Sequence, residues 1–208
     1  MKIISQPAVG EYEDKKSRFI ASLACVKTEE EALEFIQAKR KQYYDARHNV
    51  YAYILSDKTE KCSDDGEPSG SAARPIMDVL NGYELKNVVV VVTRYFGGTL
   101  LGVGGLVRAY QGAVKDALEK STLAEMVPAI RVTIEYAYNL DNLVKRLLGD
   151  YNATIVDAQY TDRIMVTYEV EENKYEALVD DMVNKSSGSV NVGKSESIMT
   201  YKDIVKGE

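Results

Sequence analysis

Five consecutive valines, Val88 to Val92, constrain this chain more than any other feature. Alternate residues of a strand point to opposite sides of a sheet, so an unbroken β-branched run needs apolar cover on both faces. The run is strand-sized, well short of the ~20 residues that cross a bilayer. It predicts a central strand of a sheet packed between layers. The valines lead into a stretch that is cationic and glycine-rich. From Leu85 to Lys115 there is no Asp or Glu, yet the segment holds Lys86, Arg94, Arg108 and Lys115 and six of the 14 glycines. Two readings fit that composition. Glycine amides at a helix start with nearby cations make an anion-facing backbone. The same glycines also suit a tight strand-to-helix connection that needs positive φ and close packing.

Charge is otherwise acidic and uneven. The 208 residues carry a net charge of −6. Residues 1–125 hold 17 Lys+Arg against 18 Asp+Glu, and residues 126–208 hold 9 against 14. That excess excludes wholesale wrapping by nucleic acid, whose affinity comes mostly from neutralised phosphates, and leaves a small local footprint. At 45% hydrophobic and 28% charged the chain reads as an ordinary globular protein. The N-terminus shows no signal-peptide pattern, and no segment is apolar enough for a membrane. Cys25 and Cys62 make neither a disulfide framework nor a metal-ligand spacing. A cytoplasmic protein with reduced thiols is expected.

Periodicity divides the chain. Glu13–Ala24 reads as a strand or the second arm of a hairpin. Thr28 to Glu31 has capping-box spacing ahead of a helical stripe with Ala32 and Ile36. His48–Leu55 is a strand, Asp57–Gly70 a polar loop, and Ser71–Leu80 a helix with Pro75 in its first turn. Gly104–Lys120 is an amphipathic helix. The pattern restarts at Pro128, which is taken as the boundary between domains 1–127 and 128–208, with a separate sheet on each side. Beyond it, strand 130–136, a helix capped by Asn139 and closed by Gly149, strands 153–159 and 164–170, a helix begun by Asn173, and strand 190–200 follow in order. This βαββαβ order predicts a ferredoxin-like domain. Tyr136 and Tyr168 fall in register with its core aliphatics. Arg131, Thr133, Glu135, Met165, Thr167 and Glu169 are left on the open face, a poor stacking platform for RNA.

Three segments carry the candidate chemistry: Arg47-His48-Asn49, Ser63 to Ser71, and Thr93 to Tyr110. Generic nucleotide motifs fail, since no Gly-Lys-Ser/Thr follows Gly97 or Gly98, and Val107 stands where a dinucleotide fingerprint needs its third glycine. A glycine-rich connection delivering Arg94 and Arg108 remains, and two guanidiniums beside helix-start amides could clamp a phosphate or carboxylate. Asp64, Asp65 and Glu67 form an acidic loop that is either a turn tied by ion pairs or a ligand site. His48 is the lone histidine, too few for a multi-histidine metal site, and either structural or a ligand contact. The expected anion- or nucleic-acid-binding set is His48, Arg94, Tyr95, Gly97, Gly98, Gly104, Gly105, Arg108 and Lys115. No catalytic residue, metal or cofactor is assigned.

The run from Asp64 to Tyr110, with SDDGEPSGSA and NVVVVVTRYFGGTLLGVGGLVRAYQGA, closely resembles the IMPACT/YigZ family. Lys16-Ser17-Arg18-Phe19 and Arg47-His48-Asn49-x-Tyr51-Ala52-Tyr53 extend the match. Val50 stands where the family often has Cys, which argues against a catalytic cysteine there. Ser71-Ala72-Ala73 replaces a frequent Thr-Ala-Gly. The resemblance implies an α+β protein of two α/β domains. The first is like the second domain of a small-subunit ribosomal protein, and a ferredoxin-like βαββαβ domain follows, a pairing similar to the last two domains of elongation factor G. It also implies a translation-linked regulatory or binding protein that contacts RNA or a ribosome-associated factor. The alternatives are a protein-binding adaptor and a phosphate-handling enzyme. The last rests on a four-residue likeness of Gly70-Ser71-Ala72-Ala73 to the phosphate-cradling helix start of small-molecule kinases, which is analogy only. Nothing in the sequence specifies an oligomeric state.

Overall fold

The computed structural model describes residues 1–204 and resolves into two compact units, 1–125 with 203 and 204 as the first and 126–202 as the second. In the first, β1 (Lys2–Gln6), β2 (Ala8–Asp14), β3 (Ser17–Cys25), α1 (Glu29–Gln42), β4 (His48–Ile54), β5 (Glu60–Ser63), α2 (Ala73–Gly82), β6 (Val88–Tyr95) and α3 (Gly102–Lys120) follow in order. The sheet runs β2-β3-β6-β4-β5, with every neighbour antiparallel. The valine strand is central, as expected. Val88, Val90 and Val92 pack under α2 and α3, while Val89 and Val91 pack with Ala32 and Ile36 of α1. Three layers result, and both faces of this sheet are covered.

Local chemistry explains the elements. Lys15 and Lys16 both adopt positive φ in the two-residue turn that joins β2 to β3, the backbone handedness that hairpin twist requires. The Thr28 hydroxyl accepts from the Glu31 amide at 3.2 Å, and the Glu31 carboxylate reaches back to the Lys27 amide at 2.7 Å. Pro75 is the third residue of α2, where its missing N–H costs no helical bond. Two expectations are corrected here. The loop 57–70 contains a strand, β5, which the polar residues Glu60 and Lys61 disguise because it is an exposed edge. α3 begins at Gly102 rather than Gly104.

The second unit takes up β7 (Thr122–Tyr136), then α4 (Asp141–Asp150), β8 (Thr154–Tyr160), β9 (Ile164–Glu171), α5 (Glu172–Lys185) and β10 (Asn191–Asp203). Its sheet order is β10-β7-β9-β8, the βαββαβ arrangement. Val132, Ile134 and Tyr136 join Val166 and Tyr168 beneath Val144, Leu147, Leu178 and Met182. The other face carries Arg131 on Glu169 at 2.6 Å and Thr133 on Thr167 at 2.7 Å. Asn139 does not cap α4: it lies in a 3-10 turn, Tyr138–Leu140, that feeds the helix directly. Nor does Gly149 close that helix, which runs on to Asp150 with Tyr151 as its cap. α5 starts one residue before Asn173.

The separate sheets expected on either side of Pro128 are corrected, although the two units do divide between residues 125 and 126. β7 runs unbroken through that proline, so a single strand belongs to ladders on either side instead of to two separate sheets. Pro128 falls between the ladder with β1, which ends at Glu125, and the ladder with β9, which begins at Ala129, so neither loses an N–H. No helix among the described residues is long and apolar enough to cross a membrane.

Candidate functional site

Strand register decides which motif residues meet. His48 pairs with Arg94 across β4 and β6, and Phe19 of β3 pairs with Arg94 on the other side. Arg94 continues the Val88-Val90-Val92 alternation, so it faces α2 and α3, whereas Tyr95 faces the α1 side and gives its hydroxyl to Asp45 at 2.8 Å. At this end of the strands lies a cleft of 320 Å³. Arg94, Glu67 and His48 line its polar part, and Phe96, Leu100, Leu101, Val103 and Leu106 line its apolar wall, with Arg47 at the rim.

The floor is a buried ion pair. Arg94 is 6% exposed, and its Nη1 donates to Glu67 Oε1 at 2.6 Å. The Tyr110 hydroxyl donates to the same oxygen at 2.8 Å. Burial, and then the Glu67 charge beside it, pushes the Tyr110 hydroxyl far above the ordinary tyrosine range, so it remains a donor. The guanidinium also lies between the rings of Phe19 and Phe96, 5.4 and 5.7 Å from their centres. Arg94 Nε is buried with no partner.

The acidic loop is a structural clamp. Asp64 accepts from the amides of Gly70, Ala72 and Ala73 at 2.9, 3.2 and 2.8 Å, and so caps α2 from several residues upstream. Asp65 accepts from the Asn49 amide at 2.7 Å and from Arg40 at 2.8 Å. Its carbonyl lies 2.8 Å from His48 Nδ1; since a carbonyl only accepts, the hydrogen sits on Nδ1. The turn-and-ion-pair reading therefore describes Asp64, Asp65 and Glu67, each held by protein donors.

Not every expected residue reaches the cleft. Gly102, Val103 and Leu106 share the face of α3 that lines it, while Arg108 and Gly104 lie roughly opposite at ~100° per residue. A Cβ on Gly104 would sit 3.8 Å from Arg108 Nη1, on that far side. The Arg94–Arg108 clamp is not formed: one guanidinium is buried on Glu67 and the other is exposed elsewhere. Lys115 lies with Asp78, Tyr83 and Gln111 in a separate depression. Gly97 is a packing glycine, since a Cβ there would meet the Lys16 carbonyl carbon at 2.1 Å, and its amide donates to Ser17 Oγ at 3.1 Å. Gly105 gives room to the Leu101 side chain, and Gly98 takes positive φ in the connection.

What remains for an anion is the start of α3. Its cap, Leu101, makes no side-chain hydrogen bond, and Leu101, Gly102 and Val103 line the cleft together with Arg47. Sequence reasoning left Arg47 and Phe96 out of the set, although both stand inside the singled-out segments; exposed Phe96 directly after a buried strand was the available signal. Arg40, which braces Asp65 from α1, gave none.

These features define a two-unit α+β protein with a cleft at the covered sheet's strand ends. The family model described as the Impact N-terminal domain matches residues 15–118, the segment that builds this cleft, and a second, described as a domain of unknown function (DUF1949), matches residues 134–189. IMPACT family member YvyE of Bacillus subtilis is 36% identical over 191 residues, covering 90% of this chain and 86% of its own. IMPACT family member YigZ of Escherichia coli is 34% identical over 182 residues, covering 86% and 89%. Human Protein IMPACT is 40% identical over 98 residues, 43% of this chain and 29% of its own. A solved structure described as the crystal structure of a hypothetical protein aligns with a TM-score of 0.58 at 32% identity, over 92% of this chain and 95% of its own. The chain belongs to the IMPACT family.

Proposed function

We propose that this protein is a translation-linked binding protein whose first unit contacts RNA, free or within a ribonucleoprotein, at the strand-end cleft. The observation that carries this reading is the uncapped start of the 19-residue α3 opening beside Arg47, with every nearby carboxylate of the acidic loop already held by protein donors. Membership of the IMPACT family supports the link to translation that the resemblance implies. Exposed Lys15 and Lys16, in the turn against which Gly97 packs, add cations next to exposed Phe96. Cations beside an exposed ring form the combination that holds single strands by phosphate and by stacking.

The footprint is small. Lys15, Lys16 and Arg47 give a log–log salt slope of about −2 for single-stranded RNA. Co-sedimentation of the purified chain with ribosomes, and binding to ribosomal RNA across a salt series, test it. Salt-sensitive binding that Arg47→Ala weakens is the expected result. A folded protein that binds neither, or binds with no salt dependence, overturns the reading and favours the protein-binding adaptor.

A further inference from the structure

The cleft combines charged and polar groups with an apolar wall, and we propose that it seats a single nucleoside monophosphate unit, base inward against Phe96 and phosphate at the start of α3. This deepens the RNA reading and rests on it for the source of the nucleotide, while the fit itself rests on the cleft. The volume of 320 Å³ is at the small end of ligand pockets, room for one nucleotide and not for several.

The floor excludes a simpler anion. Glu67 and Arg94 neutralise each other there, so a carboxylate or phosphate placed inward would meet the Glu67 charge. Yet the pair is incompletely satisfied. Arg94 Nε is a buried donor without a partner. Buried polar groups left this way mark a missing partner. A neutral ring edge that offers an acceptor answers that donor without adding charge beside Glu67, and every nucleobase has such an edge. The ring behind that edge needs apolar walls, which Phe96, Val103 and Leu106 supply. The negative group then falls at the mouth, where the start of α3 and the exposed Arg47 supply positive charge.

Calorimetry on the full chain tests this with the four nucleoside monophosphates, the parent nucleosides, inorganic phosphate, and short RNA strands with and without a 5′-phosphate. The monophosphates should bind, and phosphate and nucleosides should each bind at least about tenfold more weakly, one positive contact or one stacked base being lost. Phe96→Ala should weaken the monophosphates by about five- to 150-fold, the loss expected for one stacked base. Phe96 is 46% exposed, and Leu100→Asp at an 82% exposed position gives a second variant that leaves the core intact; circular dichroism verifies both folds. Phosphate binding as tightly as monophosphates, or both folded variants binding them unchanged, overturns the proposal. Salt-dependent RNA binding without any monophosphate binding overturns it while the RNA reading survives. Monophosphates bound and strands ignored keep the pocket, assign a free nucleotide as ligand, and overturn the RNA reading.

Discussion

The two sheets of this protein are finished differently. In the first unit helices cover both faces, α1 on one and α2 with α3 on the other, so only strand ends and helix starts are left to meet a ligand. In the second, α4 and α5 cover one face, and the open face is occupied by its own cross-strand pairs, Arg131 with Glu169 and Thr133 with Thr167. An open face is therefore not the same as an available one. Its charged groups are paired with each other, Arg163 with Glu135 as well, whereas the cleft of the covered sheet sets a buried guanidinium beside an uncapped helix start and an exposed ring. Burial of a charged pair is what separates the two.

The largest test of that contrast removes one partner from each pair. Glu67→Ala should destabilise the chain by about 3–5 kcal/mol, because Arg94 is left charged and buried. Arg131→Ala, at a half-exposed guanidinium whose partner Glu169 keeps the hydrogen bond from Thr200, should melt much closer to the wild type. Replacing Glu67 and Arg94 together by Leu and Met should cost less than the Glu67 change alone; chemical denaturation reads all four proteins. If the single Glu67 variant matches Arg131→Ala, the contrast fails.

Glycine offers a second, smaller test. Gly97→Ala should cost about 1–3 kcal/mol, since its Cβ would enter the Lys16 backbone. Gly149→Ala, in α4 with open space around it, should instead stabilise by about 0.5–1 kcal/mol through helix propensity. Thermal melts of the pair should move in opposite directions.

Binding should separate the units at the level of single cations. Arg47→Ala should lower the magnitude of the RNA salt slope by just under 1, while Arg108→Ala and Arg131→Ala leave it unchanged. A slope that responds to Arg108 and not to Arg47 would move the contact to the far side of α3.

The smallest effect concerns acid. Lys120, followed by the Glu11 amide, holds the Asp116 carboxyl below the usual aspartate range. A depressed folded-state value contributes stability that is present above the unfolded-state value, near 3.9, and is lost as pH falls through the lower folded one. Asp116→Asn should therefore lower the melting temperature slightly near neutrality, flatten its fall across that window, and converge on the wild type in acid.

Much of this architecture was readable because it follows from periods and caps. The valine run specified a strand covered on both faces, Thr28 with Glu31 marked a helix start, and the alternation after Pro128 gave βαββαβ. The strand passing through Pro128 was hidden because a proline reads as a stop, yet here it sits between two ladders that do not need its N–H. The segments that build the site were equally visible, but their assignment was not. Alternation along β6 already separates Arg94 from Tyr95, and helical spacing separates Arg108 from Leu106; applying those periods to the charged residues as well as to the valines would have split the set. That Arg94 is consumed by Glu67 depends on a contact between a loop and a strand 27 residues apart, which no local pattern encodes.

One contact bears on how the chain is made. The amide of Ile204 donates to the Leu123 carbonyl at 2.7 Å, and both residues belong to the first unit although 126–202 lie between them. During synthesis Leu123 leaves the exit tunnel long before Ile204, so the first unit stays one bond short until the second has been translated. That bond closes a loop containing the whole second unit, the kind of long-range contact that forms late. The two halves of this protein are thus nested in time: the one begun first is the one finished last.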